Sequence, residues 1–376
     1  MKLPKTTDGG SEGFRAIQSK EFVMTFEDLI MKAREMKASD IHLTVGLPTV
    51  IRVHGELIPF KEMEGMSGQV INRTIMSLLN PEQEQLLANH KDVDFSFELQ
   101  NGARQRVNVF KQSGKLACSI RLLNETIPSL EELGLPPVLL ELAKKRKGLI
   151  LVTGPTGAGK STTLAAMIQH INETRACHIV TIEDPVEYRY VKAKATVHQR
   201  EIGRDISSFS DALRSALRED PGVILIGEMR DYETISLALT AAETGHLVFA
   251  TLHTSSAAQT IDRIIDVCPA GAKEQVRTQL ANMIQGVVAQ LLIPTANGKG
   301  RVACDEVMLG TDAIKNLIRS NKVTQMETTM QGASQQGMQT LIDALAKLYK
   351  AGKITYQVAL EYSNNPSEME KKLMGQ

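Results

Sequence analysis

The 376-residue chain predicts an α/β protein in two parts. A small α+β front with a largely antiparallel sheet precedes a parallel-stranded core that ends in a helical tail. Three observations carry that expectation. Short runs of alternating apolar and polar residues crowd the first third. Near-continuous apolar runs punctuate the middle. A glycine-rich, phosphate-binding pattern lies between the first of those runs and a helical stretch. Alternation marks a sheet that is wet on one face, whereas unbroken apolar runs mark parallel strands covered on both.

Residues 1–20 begin MKLPKTTDGGSEGF, polar and glycine-rich with no apolar signal-peptide core, and predict a mobile extension. Residues 21–123 form the front domain. Leu29, Ile30 and Ala33 share one face of a helix expected over Phe26–Met36. Two short β-rich runs, 40–44 and 50–53, flank the turn signal Gly46-Leu47-Pro48. A helical stretch covers Ser67 to Leu79, and Asn80-Pro81 opens another. Val93, Phe95, Phe97 and Leu99 alternate with polar residues, and 106–110 and 116–121 continue the sheet. Asn101-Gly102 reads as a hairpin turn. Residues 124–147, with prolines and glycine, read as a linker. The core spans 148–310, with buried strands at 149–152, 179–182, 223–226 and 247–250. The tail, 311–376, carries the apolar stripe Leu341, Ala344, Leu345 and Leu348.

Composition narrows the function. Hydrophobic residues make up 42% and charged residues 23%, as in ordinary globular proteins. Lys+Arg and Asp+Glu are 43 each, a balance that weighs against a dedicated nucleic-acid binder. Cys118, Cys177, Cys268 and Cys304 are scattered with no CxxC pair, which fits free thiols in a reducing compartment better than a zinc site. No apolar run is long enough to span a bilayer. A cytoplasmic protein that reaches a membrane only through a partner is expected.

The chemistry centres on Gly154-Pro155-Thr156-Gly157-Ala158-Gly159-Lys160-Ser161, followed by Thr162. It fits G-x-x-x-x-G-K-[ST] in the required strand–loop–helix setting. Glycines let backbone N–H groups turn inward around phosphate oxygens, and the helix N-terminus adds partial positive charge. Lys160 can reach the β and γ phosphates of a nucleoside triphosphate, and the Ser161 hydroxyl can ligate Mg²⁺. Downstream, Glu183, Asp184 and Glu187 follow the second core strand, where carboxylates can orient water or a metal's shell. Gly227-Glu228 ends the third, with Glu where many phosphate-loop enzymes carry Asp. His253 ends the fourth, at a position suited to sensing the γ-phosphate. His246, just before that strand, is a second candidate, although a lone histidine is more often structural.

In order, these blocks resemble the secretion and pilus ATPase family. GPTGAGKSTT is similar to its Walker A segment, TIEDPVEY to its Asp box, LREDPGVILIGEMRD to its Walker B region and AETGHLVFATLHT to its His box. ASDIHLTVGLPTVIRVHG resembles the start of the family's PAS-like front domain, and DAIKNLIRS the AIRNLIRE motif of retraction ATPases. The likeness runs from about residue 22 to about residue 350. Departures are Ala158 for the common Ser, Gly222 for the usual Asp, Lys315 and Ser320 in the AIRNLIRE segment, and a longer start. The tetracysteine insert and longer front region of the extension and secretion branches are missing, which favours the retraction branch.

The resemblance implies a RecA-like ATPase core and the following roles. Residues 154–162 bind ATP. Ser161 and Glu228 hold Mg²⁺ or its waters. Glu187, with Glu183 beside it, activates the attacking water. His253 reports nucleotide state. Arg106 and Arg121, on front-domain strands, reach the nucleotide of a neighbouring subunit. It further implies a homohexamer that hydrolyses ATP to retract type IV pili. That ring would lie at the inner face of the cytoplasmic membrane, against an inner-membrane pilus platform protein, with a paralogous pilus ATPase as a further partner and no direct nucleic acid. Two alternatives are a nucleotide-binding accessory subunit of a paralogous motor and a RecA-like nucleic-acid translocase. Intact Lys160, Glu187, Glu228 and His253 weigh against the first, and neutral charge against the second.

Overall fold

Thr25 opens the first helix, Phe26–Glu35. Its side chain accepts from the Asp28 amide while Asp28 accepts from the Thr25 amide, so two of the helix's orphan N–H groups are satisfied. In the computed structural model, residues 25–53, 55–61, 67–99, 101–123 and 126–375 are described, and the expected 1–20 extension lies outside them. The front sheet comprises β1 (Ala38–Thr44), β2 (Val50–Val53), β3 (Glu56–Pro59), β4 (Val93–Glu98), β5 (Arg104–Gln112) and β6 (Lys115–Leu122). Its order is β3-β2-β1-β6-β5-β4, antiparallel throughout. One face buries Ile41, Leu43, Ile51, Val107, Val109 and Ile120 against Leu29, Ile30 and Ala33 of the first helix and Ile71 and Ile75 of the helix Gly68–Met76. The other carries Ser96, Arg104, Arg106, Arg121 and Asp40. Sequence alternation foresaw this division, but not the short edge strand β3.

The core sheet comprises β7 (Gly148–Thr153), β8 (His178–Glu183), β9 (Thr196–Glu201), β10 (Val223–Ile226), β11 (Leu247–Leu252), β12 (Ile284–Pro294) and β13 (Arg301–Leu309). The order is β13-β12-β7-β11-β10-β8-β9. All neighbours are parallel except β13, which runs antiparallel to β12. Ile150, Val152, Val223, Leu225 and Phe249 pack on one face with the helix Lys160–Thr174. Leu149, Leu151, Ile224, Ile226 and Val248 pack on the other with the helices Phe209–Ala216, Tyr232–Glu243 and Ala257–Asp266. Both faces are covered, which is why these strands read as continuous apolar runs.

One expectation needs correction. From residue 126 on, the stretch read as a linker packs on the core: Val138–Ala143 is a helix, and Leu130, Leu135, Leu139 and Leu142 are buried beneath the sheet. Apolar residues between prolines find a partner surface that composition does not reveal. The tail is helical from Asp312, but its Leu341–Lys350 helix also packs on β13 through Leu341, Leu345 and Cys304. Glu306 of β13 reinforces that contact, accepting the amides of Ala257 and Leu341 at the starts of two helices.

Beside it, Asp305 is buried and its Oδ1 has no partner among the described residues. Burial pushes its carboxyl up to about 7. An unfolded aspartate ionises near pH ~4, so the protonated group favours the fold fully below that value, and the contribution is lost as pH rises through about 7. Asp305→Asn should therefore gain melting temperature over the parent at pH 8 relative to pH 5, on the order of a few degrees by thermal melts. An equal offset at both pH values would contradict the assignment.

Candidate functional site

The phosphate-loop pattern leaves the fully buried β7 and enters the helix Lys160–Thr174. Gly154 has φ +143°, and a Cβ there would lie 2.3 Å from the Gln290 carbonyl oxygen. Gly159, at φ +87°, caps the helix in the left-handed region, and its Cβ would lie 2.8 Å from Gln290 Nε2. Only glycine fits either position. Gln290, buried on β12, donates to the Ala158 carbonyl at 2.7 Å and accepts from Thr163 Oγ1 at 2.7 Å. The neighbouring strand thus braces the loop at both ends. Ala158, which stands in place of the common Ser, is buried there, and its carbonyl is held by Gln290. Pro155, Thr156, Gly157 and Ser161 are exposed.

Lys160 Nζ donates to the carbonyls of Gly154 and Pro155 at 2.8 and 3.0 Å. Burial lowers its pKa, while the charges of Glu228 and Glu187 oppose that shift. The two acids reach the lysine from different segments, Glu228 from the turn after β10 and Glu187 from the loop after β8. Glu228 is paired with Arg230 at 2.7 Å and His253 Nε2 at 3.3 Å. Burial pushes its carboxyl up, but the hydrogen bond and charge of Arg230, then those of His253, outweigh it and hold the group below the usual range. Glu228 is thus kept ionised. The Thr251 hydroxyl, donating to the Gly227 carbonyl, fastens β11 to this turn.

Glu183 stands apart from the lysine. It accepts from Thr181 Oγ1 at 2.6 Å and Gln199 Nε2 at 3.3 Å, and burial pushes its carboxyl up to about 7. Glu187 is half-buried, and its charge reaches Lys160, Arg106 and Glu183. Thr162 ties the helix to this acidic loop through the Tyr188 hydroxyl at 2.8 Å. His246 is structural: Nδ1 lies 2.8 Å from the Ala241 carbonyl, closing the end of the helix Tyr232–Glu243. Gly222 precedes β10 at the strand end opposite Glu228, where a Cβ would meet Cys177 at 3.4 Å. A carboxylate there would lie away from the phosphate loop.

Arg106 makes a forked pair with Asp94, with Nη2 at 2.6 Å and Nε at 3.1 and 3.2 Å. It also feels Glu187 and Asp184 of its own chain. Arg121 faces Arg106 in register across β5 and β6, largely exposed, with Nε 3.1 Å from Asp40. The sequence reading looked to a neighbouring subunit for both. Within one chain Arg106 is tied to Asp94 and feels the charges of Glu187 and Asp184 without contacting them.

Sequence reasoning missed Gln290 and Arg230. A buried glutamine inside the apolar run Val287–Leu292 was the available signal, because a buried amide must find partners. It also missed a cavity of about 650 Å³ beside the loop, lined by Gly159, Thr162, Leu133, Leu292, Arg301 and Lys353 among others. Residues distant in sequence build it.

A profile of the family described as "Type II/IV secretion system protein" matches residues 17–361. The chain is 48% identical over 320 residues to a twitching motility protein of Neisseria gonorrhoeae, covering 85% of each. It is 47% identical over 343 residues to the type IV pilus retraction ATPase PilT of Pseudomonas aeruginosa, covering 91% of this chain and 99% of that one. Its fold is similar to a crystal structure of the pilus retraction motor PilT with bound ADP. The TM-score is 0.85 at 47% identity, covering 92% of this chain and 99% of that one.

Replacing Gln290 by Ala removes one donor and one acceptor and leaves the Ala158 carbonyl and Thr163 hydroxyl unpaired. Each loss costs about 1–3 kcal/mol. Nucleotide affinity by calorimetry should fall roughly tenfold or more. Unchanged affinity would show that the brace does not shape the loop.

Proposed function

The chain belongs to the type II/IV secretion system protein family, and from that premise we propose that it is an ATP-hydrolysing motor that retracts type IV pili. The observation that carries the reading is that Lys160, bound to its own loop carbonyls, feels the charges of two acids, Glu228 just past β10 and Glu187 on the loop after β8. A phosphate-loop lysine with an ionised acid, a half-buried acid and a strand-end histidine is a constellation for hydrolysis. A site that only binds nucleotide does not require it.

In this reading residues 154–162 cradle the phosphates through backbone N–H groups, and Lys160 neutralises the β and γ oxygens. The cavity beside Gly159 and Thr162 takes the base and ribose. The exposed Ser161 hydroxyl and the ionised Glu228 fit a hard cation that keeps part of its water shell, and they would hold Mg²⁺. When bound, Mg²⁺ offsets phosphate charge. Glu187 accepts the proton of the attacking water on its carboxylate. Glu183, about half protonated near neutral pH, buffers the acidic loop beside it. His253 reads the γ-phosphate through Glu228. Arg106 and Arg121 stabilise charge developing on the phosphoryl group of an adjoining subunit.

The core is taken as RecA-like, the front domain as PAS-like and the tail as a helical appendage. The motor is a homohexamer at the inner face of the cytoplasmic membrane, where front-domain rotations turn a pilus platform protein. Among the described residues no helix is long and apolar enough to cross a membrane, so contact with the bilayer through that partner suits the chain.

Glu187→Gln should lower ATP turnover by about 10²-fold or more while nucleotide affinity holds, and Glu228→Gln should abolish turnover in the presence of Mg²⁺. Parental turnover in either removes that residue from its role. Light scattering should give a six-subunit particle, and a monomer with full activity would refute the use of neighbouring arginines. In the source bacterium, labelled pili should extend but fail to retract when the gene is lost. Normal retraction would assign the force to another protein.

A further inference from the structure

Glu201, the last residue of the edge strand β9, is buried between the two parts of the chain. From the front domain, Ser96 Oγ lies 2.9 Å from each of its carboxylate oxygens, and Arg104 Nη2 lies 3.5 Å from Oε2. From the core, the Val186 amide donates to Oε2 at 3.0 Å. Val186 immediately precedes Glu187. The backbone under Glu201 is fixed: it pairs with Glu183 across β8 and β9, its amide donates to Asp205 Oδ2 at 2.8 Å, and the Ile202 amide donates to the Glu183 carbonyl at 2.9 Å.

We propose that Glu201 is a positioning residue that makes the placement of Glu187 depend on how the front domain sits against the core of the same subunit. This rests on the reading of Glu187 as the group that activates water. A buried carboxylate needs its lone pairs satisfied, and here the partners come from opposite sides of the domain boundary. When the front domain turns and withdraws Ser96 and Arg104, the carboxylate must be re-solvated or must draw on its remaining donor. That donor is the Val186 amide, so the acidic loop moves with the front domain. Displacements near 1 Å suffice to change turnover strongly.

Arg104 is the looser of the two front-domain partners. Its Nε and Nη1 are buried with no partner among the described residues, and its Nη2 meets Glu201 at 3.5 Å, the outer limit of a hydrogen bond. The guanidinium is thus poised over Glu201 and is not locked to it. A second charged contact between the domains, Arg189 with Glu98 at 3.7 Å, is half exposed and holds little. The strands involved are those of the candidate arginine: Ser96 on β4 lies in register with Arg106 on β5, and Arg106 feels Glu187. One rigid strand pair therefore presents both Arg106 and the acceptor's donors to the acidic loop.

The test is steady-state ATP hydrolysis by the full-length assembly. Ser96→Ala should lower kcat roughly tenfold with KM for ATP within about twofold of the parent. Ser96→Thr, which keeps the hydroxyl, should restore most of the loss. Combining Ser96→Ala with Glu201→Gln should lower kcat no further than Glu201→Gln alone, because both cut one path. Parental kcat in Ser96→Ala, or a change confined to KM or to thermal stability, overturns the coupling. Glu187→Gln measured alongside separates the two readings. If it loses turnover while Ser96→Ala does not, only the coupling fails. If it keeps turnover, the role of Glu187 fails and the coupling falls with it.

Discussion

The parallel pairing of β7 with β11 on one side and β12 on the other is the constraint on which the rest of the site depends. Thr153 lies opposite Leu252 and Ala289. The chain leaving β7 therefore enters the phosphate loop at the level where β11 delivers His253 and β12 delivers Gln290. Gly154 can pass Gln290 only because it lacks a Cβ, and its amide still donates to the Leu252 carbonyl at 3.3 Å. Strand register thus fixes the loop, its brace and the strand-end histidine in one step. The next parallel strand, β10, adds Glu228 at the same edge.

Electrostatics then divides the acids. Glu228, faced by Arg230 and His253, stays ionised, whereas Glu183, enclosed between Thr181 and Gln199, titrates near neutrality. Two carboxyl groups in neighbouring environments with opposed proton preference can do different work. Glu187 lies between them on a loop rather than a strand. It is the acid whose position other parts of the molecule can adjust, through Tyr188 on the nucleotide side and Val186 on the front-domain side.

Much of this was legible in the sequence, for physical reasons. The strands β7, β8, β10 and β11 announce themselves because a sheet covered on both faces admits few polar residues. The phosphate loop declares itself because its backbone geometry demands glycine at fixed spacing. The strands β9, β12 and β13 were not seen: β9 is a polar edge strand, and Gln290, Asp305 and Glu306 interrupt the apolar runs of the other two. The helix Val138–Ala143 was taken for linker because its apolar face is too short to show a period. Contacts that join distant segments, such as Gln290 with Thr163 and Glu201 with Ser96, leave no local trace, so the bracing of the loop emerged only from the fold.

In the proposed mechanism Glu187 and Glu228 act on the phosphate held by Lys160, with distinct tasks. The most direct measurement is a crystal structure of the assembled protein with ADP, Mg²⁺ and a planar phosphate mimic. The expected arrangement has Lys160 on the mimic, Ser161 on the metal, Glu228 on a metal-bound water and Glu187 on the water in line for attack. A structure with Glu183 on that water, or with Glu187 turned away from it, would contradict these roles.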